Sequence, residues 1–443
     1  MTKDMNQVPS VSRRISSVDS ILDNDLYKFS MQQAVLSLYP DVNVTYQFRN
    51  RSPQEHRYTK EAYEILTKRI EALADLALTP DERTFLERKC PFFTSKYLDY
   101  LSVFRYNPKA HIQMSLSSSG ALEIWIKGPW LDTILYEVPI LALVSETYFE
   151  FVETDWDMEG QDEQAEADAR QLILGGCKFT EFGTRRRRSR EVQRVVVESL
   201  TKVNEELNGS THGADQPGCD RVPREERGVL LGTSNVYFAM KYDLNPIGTV
   251  AHEWTMAISV LENDLFHANG NALRIWRRFY PTYFGTALTD TFGTAAFLRD
   301  FDEPLAESYT AVRQDSGDPR EFVLAIIKHY EKLNIDPAKK LIVFSDALTV
   351  QKALELESYV RGIQRQRKVG TPEVSFGIGT HFTNNFRVKS HGTKSRPMNI
   401  VIKLYECNGR HVVKLSDDKG KFQGDEAAVR EALKVFIPDR STP

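Results

Sequence analysis

Apolar residues recur in steps of four, three and four through Tyr27, Met31, Ala34 and Leu38, which predicts a helix ending near Tyr39, ahead of Pro40. Asp23 or Asn24 is its expected cap. Val42, Val44, Tyr46 and Phe48 then alternate with Asn43, Thr45, Gln47 and Arg49, the period of a strand with one buried face. Residues 60–78 and 80–89 carry helical patterns. A hairpin follows, with residues 111–116 and the alternating Leu122, Ile124 and Ile126 flanking a serine-glycine turn. These elements make residues 21–150 a mixed α+β domain, behind a polar, frayed segment at 1–20.

From about Glu146 the pattern changes to short apolar runs alternating with helices. A strand ending at Arg313 precedes Asp318-Pro319, which opens a helix with proline at its first position. An apolar run at 341–344 leads to Ser345-Asp346, a helix covers 350–359, and a strand at 374–376 precedes Gly377. Such strand–loop–helix units predict parallel strands with functional loops at their carboxyl ends, in a β/α barrel or a doubly wound sheet over residues 151–395. Residues 204–227, polar and rich in glycine and proline, read as a surface loop. Residues 399–406 and 410–415 flank Asn408-Gly409 and predict a hairpin, through which segment 396–443 returns to the first domain's sheet.

The length of 443 residues fits two domains, and 41% hydrophobic content is enough for a large core. With 57 basic and 61 acidic side chains the net charge is −4, which argues against a general nucleic-acid or membrane-surface role. No run approaches 18 apolar residues, and no basic-then-apolar leader opens the chain. Cys90, Cys177, Cys219 and Cys407 lack CxxC spacing and read as reduced thiols, so a cytoplasmic protein is expected.

Five short clusters combine flexible backbone with anion-binding or hydroxyl side chains: Glu181–Arg185, Gly232–Asn235, Ile247–Trp254, Arg313–Asp318 and Gly377–Thr380. Each has a plain alternative. The arginine run at 185–188 could be a solvated helix face or a targeting signal that adds the nucleus as a location. One guanidinium stacked on a ring beside Phe182 is the functional reading. His252 could be a satisfied structural histidine, or a nucleophile or general acid/base beside Gly248-Thr249. Arg313 could meet an anionic substrate, and Asp315 and Asp290 could hold ribose hydroxyls or magnesium, or could simply cap turns. Gly377 and Gly379 offer backbone amides to a phosphate, and Tyr27 has the periodicity of a core aromatic.

In order, spacing and identity, from Asp25-Leu26-Tyr27-Lys28 to Gly377-Ile378-Gly379-Thr380, these motifs resemble the nicotinate phosphoribosyltransferase family, in its fungal branch. The resemblance implies an N-terminal α+β domain with an irregular β/α barrel. It also implies transfer of phosphoribose from phosphoribosyl pyrophosphate to nicotinate, coupled to ATP hydrolysis, with magnesium bound. By position His252 would be the phosphohistidine, and Phe182 and Arg185 would flank the pyridine ring. Tyr27 would reach the nicotinate site, in related enzymes from a neighbouring subunit, so a homodimer is compatible. Thr249 and Arg313 would contact nicotinate, Thr380 the phosphoribosyl donor, and Gly377 and Gly379 its 5′-phosphate. Nicotinamide-using relatives carry an acid after the Gly-Thr that is Gly232-Thr233 here. Ser234 in its place favours the acidic ring. The rival readings are a nicotinamide or quinolinate enzyme, a non-catalytic binder of NAD precursors, and an RNA contact through the arginine run.

Overall fold

The computed structural model describes residues 17–209, 222–367, 370–418 and 421–436. Two sheets organise it. The first is antiparallel and five-stranded, in the order β11-β10-β1-β3-β2, where β1 is Asn43–Asn50, β2 Ile112–Leu116, β3 Leu122–Pro129, β10 Ile400–Cys407 and β11 Arg410–His411. The second is parallel and six-stranded, in the order β5-β4-β9-β8-β7-β6. Its strands are β4 (Lys178–Glu181), β5 (Val229–Thr233), β6 (Thr286–Leu288), β7 (Ala311–Gln314), β8 (Leu341–Phe344) and β9 (Glu373–Ile378).

The last parallel strand, β9, pairs with the first, β4, which is barrel closure rather than a doubly wound order. The ring stays open between β5 and β6. There the chain returns along the free edge of β5, with Ile247 N–H donating to Thr233 O at 2.8 Å. Helices Gln161–Leu174, Arg190–Asn208, Pro319–Lys332 and Val350–Gln366 connect the strands. All six strands are short because each ends where a cluster begins: Glu181, Thr233, Leu288, Gln314, Phe344 and Ile378 are their carboxyl-terminal residues.

Several expectations need correction. The first helix is Leu26–Leu38 with Asp25 at the cap position, and no side chain caps it. Asp23 is instead committed to Arg187 through two 2.8 Å bonds, and Asn24 Nδ2 donates to Leu135 O. This helix is buried all round from Leu26 to Val35, while Leu38, assigned to its inner face, is exposed. Residues 60–78 form a shorter helix, Lys60–Glu71, with a tight turn at Ala72–Asp75. The helix Pro80–Lys89 then starts in a capping box between Thr79 and Glu82. Residues 204–208 continue a helix rather than a loop, and 210–221 lie outside the described residues, as do 1–16.

The hairpin at Asn408-Gly409 pairs only Arg410 and His411. Beyond it the chain leaves the sheet, and Leu415 N–H donates to Thr291 O in the barrel. Strand β10 is the partner of β1 from Val44↔Cys407 to Asn50↔Ile400, so the C-terminal region completes the first sheet and then crosses to the second. Cys90, Cys177 and Cys407 are buried free thiols, and Cys219 is outside the described residues. Among the described residues no helix is long and apolar enough to cross a membrane.

Candidate active site

His252 opens the helix His252–Leu261 after the loop that fills the barrel gap. Its Nδ1 lies 3.0 Å from Thr291 Oγ1, and its Nε2 lies 2.8 Å from Lys414 Nζ and 3.0 Å from Asp315 Oδ2. Asp290 Oδ1 is 3.6 Å from the same nitrogen, and its Oδ2 takes Lys414 at 3.2 Å and the Ser316 hydroxyl at 2.6 Å. Burial, with Lys414 next in weight, pushes the imidazole down to about 4 against the pull of the two carboxylates. The ring is therefore neutral near pH 7. Lys414 can donate to Nε2 and Asp315 can accept from it, while the Thr291 hydroxyl can serve Nδ1 in either role, so the contacts accommodate the ring proton on either nitrogen.

Arg313 is fixed from three sides. Its Nε donates to Ser345 Oγ at 2.8 Å, Nη1 to Thr249 Oγ1 at 3.0 Å and Nη2 to Asp315 Oδ1 at 3.0 Å. Burial raises Asp315 but Arg313, His252 and Lys414 outweigh it, so this carboxylate stays ionised well below the usual range. One arginine thus links the carboxyl ends of β7 and β8 to the His252 loop.

The second half of the site is the arginine run, which is neither a solvated helix face nor uniform. Arg187 is fully buried between Asp23, Glu146 at 2.7 Å and Gln193. Arg188 is also fully buried, with its guanidinium 3.6 Å from the Phe149 ring centroid and 4.6 Å from that of Phe386. Those two arginines hold the fold together. Arg185, by contrast, is 36% exposed, and among the described residues its ion pairing is a long 3.6 Å approach to Glu137. The neighbouring Tyr27, Glu137, Asp25 and Asp315 all favour its charge. Tyr27 is buried, as its periodicity implies, yet it belongs to the same cluster as Arg185 within a single chain.

Glu181 joins two clusters: its carboxylate accepts from Gly183 N–H and from Thr233 Oγ1 at 2.6 Å, and burial pushes it up to about 7. Phe182 is half-buried with its ring over Gly377, where an added Cβ would lie 3.4 Å from Phe182 Cδ2. At Gly379 a Cβ would come within 2.7 Å of Phe182 O, so only glycine fits between the two loops. Thr380 stands half-buried at the end of this loop. Ser234 does not present a free hydroxyl. It is fully buried and donates to Asp25 Oδ1 at 2.8 Å, so the start of the first helix places a carboxylate beside it after all.

Sequence reasoning missed Lys414, Thr291, Ser345, Arg51 and Lys403. Arg51, Arg186 and Lys403 have no carboxylate within 4 Å among the described residues. Burial and mutual repulsion lower Arg51, bring Arg186 to about 9 and bring Lys403 to about 7. Asp346, by contrast, is paired with Lys421 at 3.0 Å. Arg51 follows β1, Lys403 lies within β10 and Lys414 beyond β11, and charge alone does not distinguish them from surface lysines and arginines.

An open β/α barrel with cations and glycine loops at its carboxyl rim, closed over by an antiparallel domain, is the architecture of a phosphate-handling enzyme of the phosphoribosyl-transfer class. The chain matches the family model described as "Nicotinate phosphoribosyltransferase (NAPRTase) family" over residues 177–438, and that for the family's N-terminal domain over residues 22–145. It belongs to the nicotinate phosphoribosyltransferase family. A Saccharomyces cerevisiae nicotinate phosphoribosyltransferase is 43% identical over 424 residues, 93% of this chain and 94% of that one. One from Methanosarcina mazei is 42% identical, covering 94% and 97%. A crystal structure of the Porphyromonas gingivalis nicotinate phosphoribosyltransferase superposes with a TM-score of 0.82 at 34% identity, covering 95% and 99%.

Proposed function

We propose that the protein transfers phosphoribose from phosphoribosyl pyrophosphate to nicotinate, releasing nicotinate mononucleotide and pyrophosphate. One observation carries the reading: the exposed Arg51 and the half-buried Arg186 and Lys403 gather beside Arg185 with no carboxylate within 4 Å of those three among the described residues. A polyanionic donor and an acidic ring supply what they lack. The pyridine nitrogen forms a bond to the anomeric carbon as the bond from that carbon to the pyrophosphate oxygen breaks. The nitrogen lone pair is free, so no general base is required. Arg185 and Phe182 hold the ring, Arg313 with Thr249 meets its carboxylate, and Gly377, Gly379 and Thr380 receive the 5′-phosphate. Fixing two reactants in this way contributes on the order of 7–11 kcal/mol.

Preference for nicotinate over nicotinamide rests on this cationic surplus rather than on Ser234, whose hydroxyl is already donated to Asp25. His252 is the proposed phosphorylation site. In the tautomer with its proton on Nδ1, the neutral ring attacks the γ-phosphorus of ATP through Nε2, ADP leaves, and water later cleaves the P–N bond to release phosphate. Asp290 Oδ1 is buried without a hydrogen-bond partner and lies close to Asp315. That pair of carboxylates fits magnesium, which prefers oxygen ligands and would neutralise phosphate charge there.

The test is direct. Purified protein with magnesium, phosphoribosyl pyrophosphate and, in parallel, nicotinate, nicotinamide or quinolinate is assayed for mononucleotide with and without ATP. Product from nicotinate alone of the three is expected. No mononucleotide from nicotinate under either condition refutes the function.

A further inference from the structure

Lys28 is completely buried and lies outside the chemistry just described. Its Nζ pairs with Glu137 Oε2 at 2.6 Å and with Glu253 Oε2. Glu253 is the residue after His252, and its other oxygen accepts from Tyr46 OH at 3.1 Å and Trp130 Nε1 at 3.2 Å. Glu137 is in turn the carboxylate within 4 Å of Arg185 among the described residues, at 3.6 Å from Nη1. A continuous line of charge therefore runs from the histidine's helix through Glu253, Lys28 and Glu137 to the half-exposed arginine. The two ends are also tied by backbone. A Cβ on Gly248 would lie 2.9 Å from Tyr27 N, so the His252 loop rests on the first turn of the helix that carries Lys28.

This arrangement decides where Arg185 points. A buried glutamate without a partner captures the nearest cation, because an uncompensated buried charge is costly. Lys28 is that partner here, and the 3.6 Å gap shows Arg185 left outside hydrogen-bond range of Glu137. We propose that Lys28 is a positioning residue: by neutralising Glu137 it keeps the Arg185 guanidinium available to an anionic ring substrate, and through Glu253 it relays the state of the His252 helix to that guanidinium. The inference rests on the assignment of Arg185 to the nicotinate site.

The experiment measures steady-state kinetics for Lys28→Met, Glu137→Gln and the double variant, with circular dichroism melting for each. In Lys28→Met, Glu137 captures Arg185, and the KM for nicotinate rises by about tenfold or more, the order of losing one hydrogen bond to a charged group. The fall in kcat is smaller than that rise. In the double variant a neutral amide no longer competes for Arg185, and the KM returns to within about threefold of wild type. Glu137→Gln alone, which keeps Lys28 paired with Glu253, lowers the KM for nicotinate, and this arm stands even where Lys28→Met does not fold. A Lys28→Met protein with wild-type KM overturns the proposal. So does an elevated KM that Glu137→Gln fails to restore, or a Glu137→Gln protein that binds nicotinate more weakly. Wild-type protein that makes no mononucleotide defeats the functional reading instead, so the two failures are separable.

Discussion

Replacing Lys414 with methionine removes the cation 2.8 Å from His252 Nε2 and 3.2 Å from Asp290 Oδ2. At the shorter distance a unit charge contributes about 1.5 kcal/mol in water and about 6 kcal/mol at an effective dielectric of about 20. That corresponds to about one to four tenfold steps in imidazole protonation. The ring, held down to about 4 in the native protein, rises in the variant while burial, the larger cause, still opposes its protonation. Asp290 and Asp315 remain beside it, and both favour the imidazolium. A protonated ring has no lone pair at Nε2 and cannot take a phosphoryl group. The assay is single-turnover phosphorylation from labelled ATP, followed as acid-labile phosphate from about pH 5 to about pH 8. Wild-type protein should show a flat profile across that range. Lys414→Met should lose about tenfold for each pH step below its new imidazole value. A variant that is uniformly slower but keeps the flat wild-type profile refutes the account of Lys414 as the group that keeps His252 neutral.

His252→Ala should abolish acid-labile phosphate and the response of turnover to ATP while leaving slow, ATP-independent mononucleotide formation, measured by pyrophosphate release. Arg313→Met should raise the KM for nicotinate by about ten- to a hundredfold, the cost of one lost charged hydrogen bond, and lower the melting temperature in calorimetry because Asp315 loses its partner. Gly379→Ala forces a methyl to 2.7 Å from Phe182 O, and should cost about 1–3 kcal/mol of stability with a raised KM for phosphoribosyl pyrophosphate. His252 has a folded value near 4 against 6.5 unfolded, so the unfolded chain takes up the proton first. Stability present above pH 6.5 should be lost on acidification towards pH 4, by up to about 3 kcal/mol. His252→Asn should flatten that part of the denaturation-versus-pH curve.

The barrel was legible because its strands are buried on both faces and end in glycine or hydroxyl loops, so apolar runs and clusters mark each other. The same clusters marked Arg313, His252 and Gly379 as candidates, each with a plain structural alternative, and the family resemblance supplied the roles expected of them. The first helix misled because periodicity reports one apolar face, whereas Lys28, Gln32 and Gln33 are buried polar residues satisfied by partners distant in sequence. Lys414 was invisible for a related reason. Its role is set by a crossing from one sheet to the other after β11, and no residue near it signals that path. The arginine run shows the limit most clearly: four adjacent identical side chains have different fates, decided by which carboxylates and rings the tertiary fold brings to each.

Strand β1 lies between β3 and β10, and the latter partner is encoded roughly 350 residues downstream. During synthesis one edge of that strand therefore stays open, its amides and carbonyls unpaired, until residues 400–407 have been made. Long-range closure of this kind is slow, and the nascent chain is exposed meanwhile to pairing with other copies of itself. Premature termination shortly before Ile400 would leave that edge permanently uncovered, making aggregation rather than reduced turnover the first symptom of a truncated product.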